Sequence, residues 1–195
     1  MAVPLENVMS NKQELPFINF YKKHKISPVS QDISNLQKHF SRRSVLYRSL
    51  GLLPGYFKDK DLLEFGPGSG HNALYTKSLF PSRYVLVDAN PVGLEATRSL
   101  LKQYPTGNNK CEVVESFIKE YRSDDLFDVV FCECLIAYQR SPLDFLKNVA
   151  SFVKPGGVLV ITCLDSVSFL SEILRNLIRL LVVNPDDNIE KKWKY

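Results

Sequence analysis

Apolar residues recur along this chain with two different periods, and the change falls near residue 60. Before it, Ile33, Leu36, Phe40, Leu46 and Leu50 follow mostly three- and four-residue spacings, which predicts a helix that Gly51 and Pro54 end. After it, short apolar runs alternate with amphipathic stretches. The runs at 61–65, 84–88, 111–114, 127–132 and 158–163 predict strands. Helices are predicted at 71–80 and after Asn90-Pro91, where an N-cap precedes a proline at the first helical position. Leu94, Thr97, Leu101 and Tyr104 form the inward face of the second of these. A short helix or turn is expected near 117–121. A helix opened by Ser141-Pro142 should bury Leu143, Leu146, Ala150 and Val153, with a turn at 154–157 behind it. A last helix from Ser166 carries Leu170, Ile173, Leu174, Leu177, Ile178 and Leu181, a stripe expected to dock on the sheet.

Strands alternating with helices imply parallel pairing through right-handed crossovers. Their near-continuous apolar character says that both faces of the sheet are covered. The expected architecture is α/β: a doubly wound, mostly parallel sheet of at least five strands. Residues 1–59 read as a helical extension or lid, 60–183 as the α/β domain and 184–195 as a charged tail.

Composition narrows the function classes. The 195 residues are 45% hydrophobic and 24% charged, ordinary globular usage for one domain. A formal charge of +4 is too mild to argue for nucleic acid. The four cysteines have no metal-ligand spacing, so no metal is expected and they read as buried thiols. No secretory signal opens the chain, and Arg175 and Arg179 interrupt the most apolar helix. A cytoplasmic location without a membrane partner is the expectation.

The candidate chemistry lies at strand ends. The first strand closes in Glu64-Phe65-Gly66-Pro67-Gly68-Ser69-Gly70-His71. Glycines allow close backbone approach, and the helix that follows offers free amides and a positive dipole end to a polar or anionic group. Asp88 ends the second strand, where an acid accepts hydrogen bonds from a ribose in such sheets. A nicotinamide fingerprint needs G-x-G-x-x-G, but His71 stands at its third position and Gly70 comes one residue early. The pattern is E-x-G-x-G-x-G instead.

The run 62–70 resembles the first signature of class I S-adenosylmethionine-dependent methyltransferases. The run 84–91 resembles their second, 127–132 their fourth-strand motif, and 146–162 the helix, turn and strand that follow. The resemblance covers residues 60–163 and implies a Rossmann-like methyltransferase fold, here lacking its last two strands, with S-adenosylmethionine as cofactor. It implies that Glu64 approaches the methionine amino group and that Gly66, Pro67, Gly68 and Gly70 form the loop beneath the cofactor. It further implies that Asp88 binds the ribose, that Ala89 and Asn90 line the adenine, and that Cys132 and Glu133 lie near the sulfonium. Ser116 and Phe117 stand where the family has an acid and a small residue, so the adenine contact there departs from the pattern. His71, Glu133 and Tyr138 are candidate bases, each with a plain structural alternative: a helix cap, a loop charge, a lid aromatic. Tyr21, His24, Arg43 and Tyr47 are candidate lid residues.

The activity implied is methyl transfer to a small-molecule acceptor. A cofactor-binding or partner-dependent module is one alternative, and an RNA methyltransferase another, although strand four runs into Cys132-Glu133-Cys134-Leu135 and not a base-amino signature. A homo-oligomer or a partner is expected to cover the edge of the fifth strand.

Overall fold

The computed structural model describes residues 16–27, 30–105, 110–163 and 165–182. Five strands form one parallel sheet: β1 (Asp61–Phe65), β2 (Arg83–Asp88), β3 (Lys110–Glu115), β4 (Phe127–Cys132) and β5 (Val153–Ile161). Their order is β3-β2-β1-β4-β5, so the chain reverses direction across the sheet between β1 and β4. Helices α1 (Pro16–His24), α2 (Leu36–Ser49), α3 (His71–Lys77), α4 (Pro91–Gln103), α5 (Pro142–Ala150) and α6 (Ser166–Val182) complete it. The doubly wound reading holds.

Alternation along the strands splits the core into two layers. Leu62, Tyr84, Leu86, Val129 and Phe131 face α2, α3 and α4. Leu63, Phe65, Val85, Val87, Val130 and Cys132 face α5. Burial of each such side chain contributes about 1.5–3 kcal/mol. Phe65 pairs with Val87 on one side and Cys132 on the other. Gly66, Asp88 and Glu133 therefore emerge side by side, one residue beyond a single row.

Asn90 caps α4 as expected, its Oδ1 accepting from Val92 N at 3.1 Å. Its Nδ2 also donates to Ile26 O at 3.2 Å, which ties the N-terminal segment to the sheet. Asn90→Ala should cost about 1 kcal/mol by urea denaturation, the usual worth of a helix cap.

Five expectations are corrected. The buried stripe of α2 is His39, Arg43 and Tyr47, while Leu46 and Leu50 are exposed. Each of these three side chains hydrogen-bonds to α3 or to Glu133 at the end of β4, which a count of apolar side chains does not register. On α5 the inward residues are Phe145 and Val149; Leu143 and Ala150 are exposed, and Val153 belongs to β5. The turn at 154–157 is a bulge within β5, where the register slips between Phe127↔Val153 and Val129↔Val158. The stripe on α6 is not docked on the sheet: Leu174 is 51% and Leu181 85% exposed. Of the cysteines only Cys132 is fully buried, and Cys134 and Cys163 are exposed. The tail at 184–195 lies outside the described residues.

Candidate cofactor and catalytic site

The carboxyl ends of β1, β2 and β4 open onto one crevice at the point where strand order reverses, the usual ligand position in open α/β sheets. Its floor is the glycine loop. Gly66 has φ +74°, and a Cβ there would stand 2.6 Å from Leu135 Cδ1. Gly70 has φ +77°, and a Cβ there would stand 2.8 Å from Thr97 Oγ1, so this glycine lets α3 pack on α4. Pro67 O accepts from Gly70 N at 3.0 Å and closes the turn.

Asp88 joins two loops. Its Oδ2 accepts from Gly68 N at 3.3 Å and its Oδ1 from Asn90 N at 2.9 Å. Burial raises its carboxyl above the ordinary range, and the amides of Asn90, Gly68 and Ala89 pull it back down. A carboxylate with each oxygen fixed by one amide still has lone pairs for a diol. Ala89 is half-buried beside it.

Glu64 is half-buried on the α2 side of β1 and accepts a short hydrogen bond from Tyr84 Oη. Burial pushes its carboxyl up to about 7; Tyr84 opposes the rise, while the negative charge of Glu133 reinforces it. Tyr84 is itself raised by burial and by Glu64, so the proton stays on the phenol.

Glu133 is held from α2. Arg43 donates from Nη2 to Glu133 Oε1 at 2.8 Å and from Nη1 to Oε2 at 3.2 Å. Arg43 Nη2 also donates to Tyr47 Oη at 3.2 Å, and Tyr47 Oη shares a proton with Thr76 Oγ1 at 2.7 Å. Burial works against the charge on Arg43, but the bonds and charge contacts to Glu133 and Tyr47 together outweigh it and the guanidinium stays charged. Its Nε is buried with no hydrogen-bond partner among the described residues. An N–H so placed carries a desolvation cost that no hydrogen bond offsets.

His71 is committed to structure. Its Nδ1 accepts from Gln31 N at 2.8 Å and its carbonyl pairs with His39 Nε2 at 2.9 Å. Burial, then the nearby His39, lowers its pKa, and an Nδ1 that accepts leaves the ring proton on Nε2. Its free lone pair is thus already used. Ser69 Oγ donates to Ser27 Oγ at 2.6 Å, and Ile26 O accepts from Asn90 Nδ2. The segment between α1 and α2 therefore straps the glycine loop, and it does so through Ile26, Ser27 and Gln31. Of the lid candidates, Tyr47 lies in the core and Arg43 in the site.

The remaining candidates divide. Ser116 N donates to Asp88 O at 3.0 Å, but its Oγ turns to Phe117 O at 3.0 Å. Phe117 is half-buried, its carbonyl capping the turn that follows. The Cys132 side chain faces α5, and burial raises its thiol to about 12, so only its backbone reaches the crevice. Tyr138 falls on a short 3-10 turn, and its side chain lies outside the described residues. No metal-holding cluster occurs among the described residues. A groove of about 620 Å³ along α2, lined by Leu36, Phe40, Val45 and Tyr75, holds none of these groups. The sequence reading took Arg43 and Tyr47 as lid residues and missed their network with Glu133, along with Thr76 and Tyr84. The one available signal was the i, i+4, i+8 spacing of His39, Arg43 and Tyr47.

A family model described as a methyltransferase domain matches residues 37–188. The chain belongs to the methyltransferase domain family, of the class I S-adenosylmethionine-dependent type. The mitochondrial ubiquinone biosynthesis O-methyltransferase of Schizosaccharomyces pombe is 28% identical over 111 residues, 56% of this chain and 39% of that protein. The ubiquinone biosynthesis O-methyltransferase of Rickettsia akari is 24% identical over 73% of this chain and 51% of its own length. This methyltransferase chain thus spans about half or less of those relatives. The N-methyltransferase NodS of Bradyrhizobium japonicum, solved with S-adenosylhomocysteine, shares the fold at TM-score 0.59 and 14% identity, covering 80% of this chain and 77% of that one. An S-adenosylmethionine-dependent methyltransferase of Clostridium acetobutylicum shares it at TM-score 0.51 and 17% identity, over 74% and 55%.

Proposed function

We propose that this chain binds S-adenosylmethionine across the ends of β1, β2 and β4 and directs its methyl group to a hydroxyl of a small-molecule acceptor. The observation that carries this reading is the convergence of the glycine loop, Glu64 and Asp88 at the ends of β1 and β2, with the Arg43 charge near enough to Glu64 to pull its carboxyl down. An amino-acid zwitterion needs a carboxylate for its ammonium and a cation for its carboxylate, and a ribose needs an acceptor for its diol. Glu64 and Asp88 match the first and last of those needs, and Arg43 is the cation close to Glu64. The glycine loop offers backbone contact between them, with Ala89 and Asn90 beyond Asp88 on the adenine side.

A bound sulfonium supplies an activated methyl group. The protein's part is then to align the acceptor, exclude water and take a proton where the acceptor carries one. Glu133 is the carboxylate best placed to accept it, at the end of β4 with Arg43 fixing its orientation. His71 is excluded from that role in this conformation by its bond from Gln31. The O-methyltransferase names of the relatives support an oxygen acceptor.

Calorimetric titration with S-adenosylhomocysteine, with NAD as control, tests the cofactor half. Asp88→Ala should weaken binding about tenfold to hundredfold, as loss of charged hydrogen bonds does. Binding of NAD in place of the homocysteine compound, or a variant that binds unchanged, would sink the reading. The outer edge of β5, unpaired among the described residues, favours one second reading, a module that binds the cofactor but needs a partner for turnover. An RNA acceptor loses support because Arg43, one of the basic residues of the N-terminal region, is buried beside Glu133 and not on the surface.

A further inference from the structure

The apolar face of α6 is an extended exposed surface with no cover among the described residues. At 100° per residue, its bulky apolar side chains fill about half the circumference of the helix. Leu170, Ile173, Leu174, Leu177, Ile178 and Leu181 are between 41% and 85% exposed, and Val167 and Phe169 extend the face toward the N-terminal end. The helix is well formed at its start, where Asp165 Oδ1 accepts from Ser168 N at 2.6 Å. It follows directly on β5, whose outer edge is unpaired among the described residues.

We propose that α6 is a self-association surface, occupied by the same helix of a second copy of this chain. Area supports this occupant. The exposed apolar surface of α6 amounts to roughly 800 Å², close to the share that each partner contributes to a standard stable interface. Patches beyond a few hundred Å² on a monomer mark interaction sites. Charge points the same way. The charged residues of the helix are Glu172, Arg175 and Arg179, and Glu172 pairs with Arg175 at 2.6 Å. Helices that lie on lipid carry a strongly cationic polar face, and this one is rich in serine instead. One uncharged face meeting its own copy about a two-fold axis is self-complementary and closed.

Sedimentation velocity of the full chain over about 1–100 µM tests it, the range in which an interface of this size associates. The expected result is a dimer of twice 22.3 kDa that Leu174→Glu/Leu177→Glu converts to monomer, weakening association at least a hundredfold. Because both side chains are exposed, the variant should keep its far-UV circular dichroism and its affinity for S-adenosylhomocysteine. A wild-type monomer at the highest concentration overturns the proposal, as does a dimer that survives the substitutions. Flotation of a monomer with liposomes overturns it in favour of a lipid surface. A variant that unfolds overturns it too, since the face would then be docked within its own chain.

Discussion

Arg43→Met should destabilise the protein by about 2–3 kcal/mol and weaken S-adenosylhomocysteine binding at least a hundredfold. The substitution keeps the aliphatic stem in the core and removes the fork that holds Glu133. Breaking a buried pair from one side costs about 3–5 kcal/mol because the other charge is stranded. Here the cost is smaller, since Glu133 keeps 24% of its side-chain surface accessible and can rehydrate. Tyr47 Oη loses one donor but keeps Thr76. Adding Glu133→Leu should recover most of the stability, because the stranded carboxylate is gone, yet recover none of the affinity. Urea denaturation of both variants measures the first effect and calorimetry the second. If the double variant binds normally, Arg43 is a structural ion-pair partner and no more.

Glu64→Gln should stabilise the ligand-free protein at pH 8, by on the order of 3 kcal/mol, and leave it unchanged at pH 4. The carboxyl of Glu64 has its folded value raised to about 7 from an ordinary value of 4.5. Between those values the folded state binds a proton that the unfolded state has released. Stability from this group is therefore fully present below about 4.5, falls as pH rises, and is lost above about 7. Glutamine cannot ionise and removes that loss while still accepting from Tyr84 Oη. Binding should respond in the opposite sense. Glu64 must be ionised to meet an ammonium, so wild-type affinity should rise about tenfold per pH unit between 5.5 and 7, and the glutamine variant should show a flat, weak profile. Melting curves against pH with and without S-adenosylhomocysteine separate the two. A wild-type stability that does not fall between pH 5 and 7 would refute the buried-acid account.

Much of this site was legible from local pattern. Glycines at 66, 68 and 70 and an acid at 88 fall at strand ends, and a strand end is visible wherever an apolar run stops. The acid at 64, two residues ahead of the loop, separated this site from a dinucleotide fingerprint for the same reason. Arg43 was harder. It is 90 residues from Glu133 and looks like surface charge on a helix. Only the packing of α2 on the sheet turns it inward. That packing also explains the misread face of α2. His39, Arg43 and Tyr47 are buried because His71, Glu133 and Thr76 wait for them.

Two other features depended on distance. His71 follows the glycine loop and looks free to act as a base, until Gln31, 40 residues away, is seen to donate to it. The α6 stripe has the spacing of a docked helix, and amphipathic spacing says only that one face avoids water. It does not say whether the cover is the helix's own sheet or another molecule.

The sequence by itself determined the fold class, the parallel order of elements and the family, because strand runs, breakers and loop glycines act over a few residues. The tertiary structure decided which polar side chains are buried and paired. It also decided which candidate base is already engaged and which apolar face is left open. Those outcomes depend on contacts between residues tens of positions apart, and each buried charge or hydrogen-bonding group is stable only if its distant partner arrives.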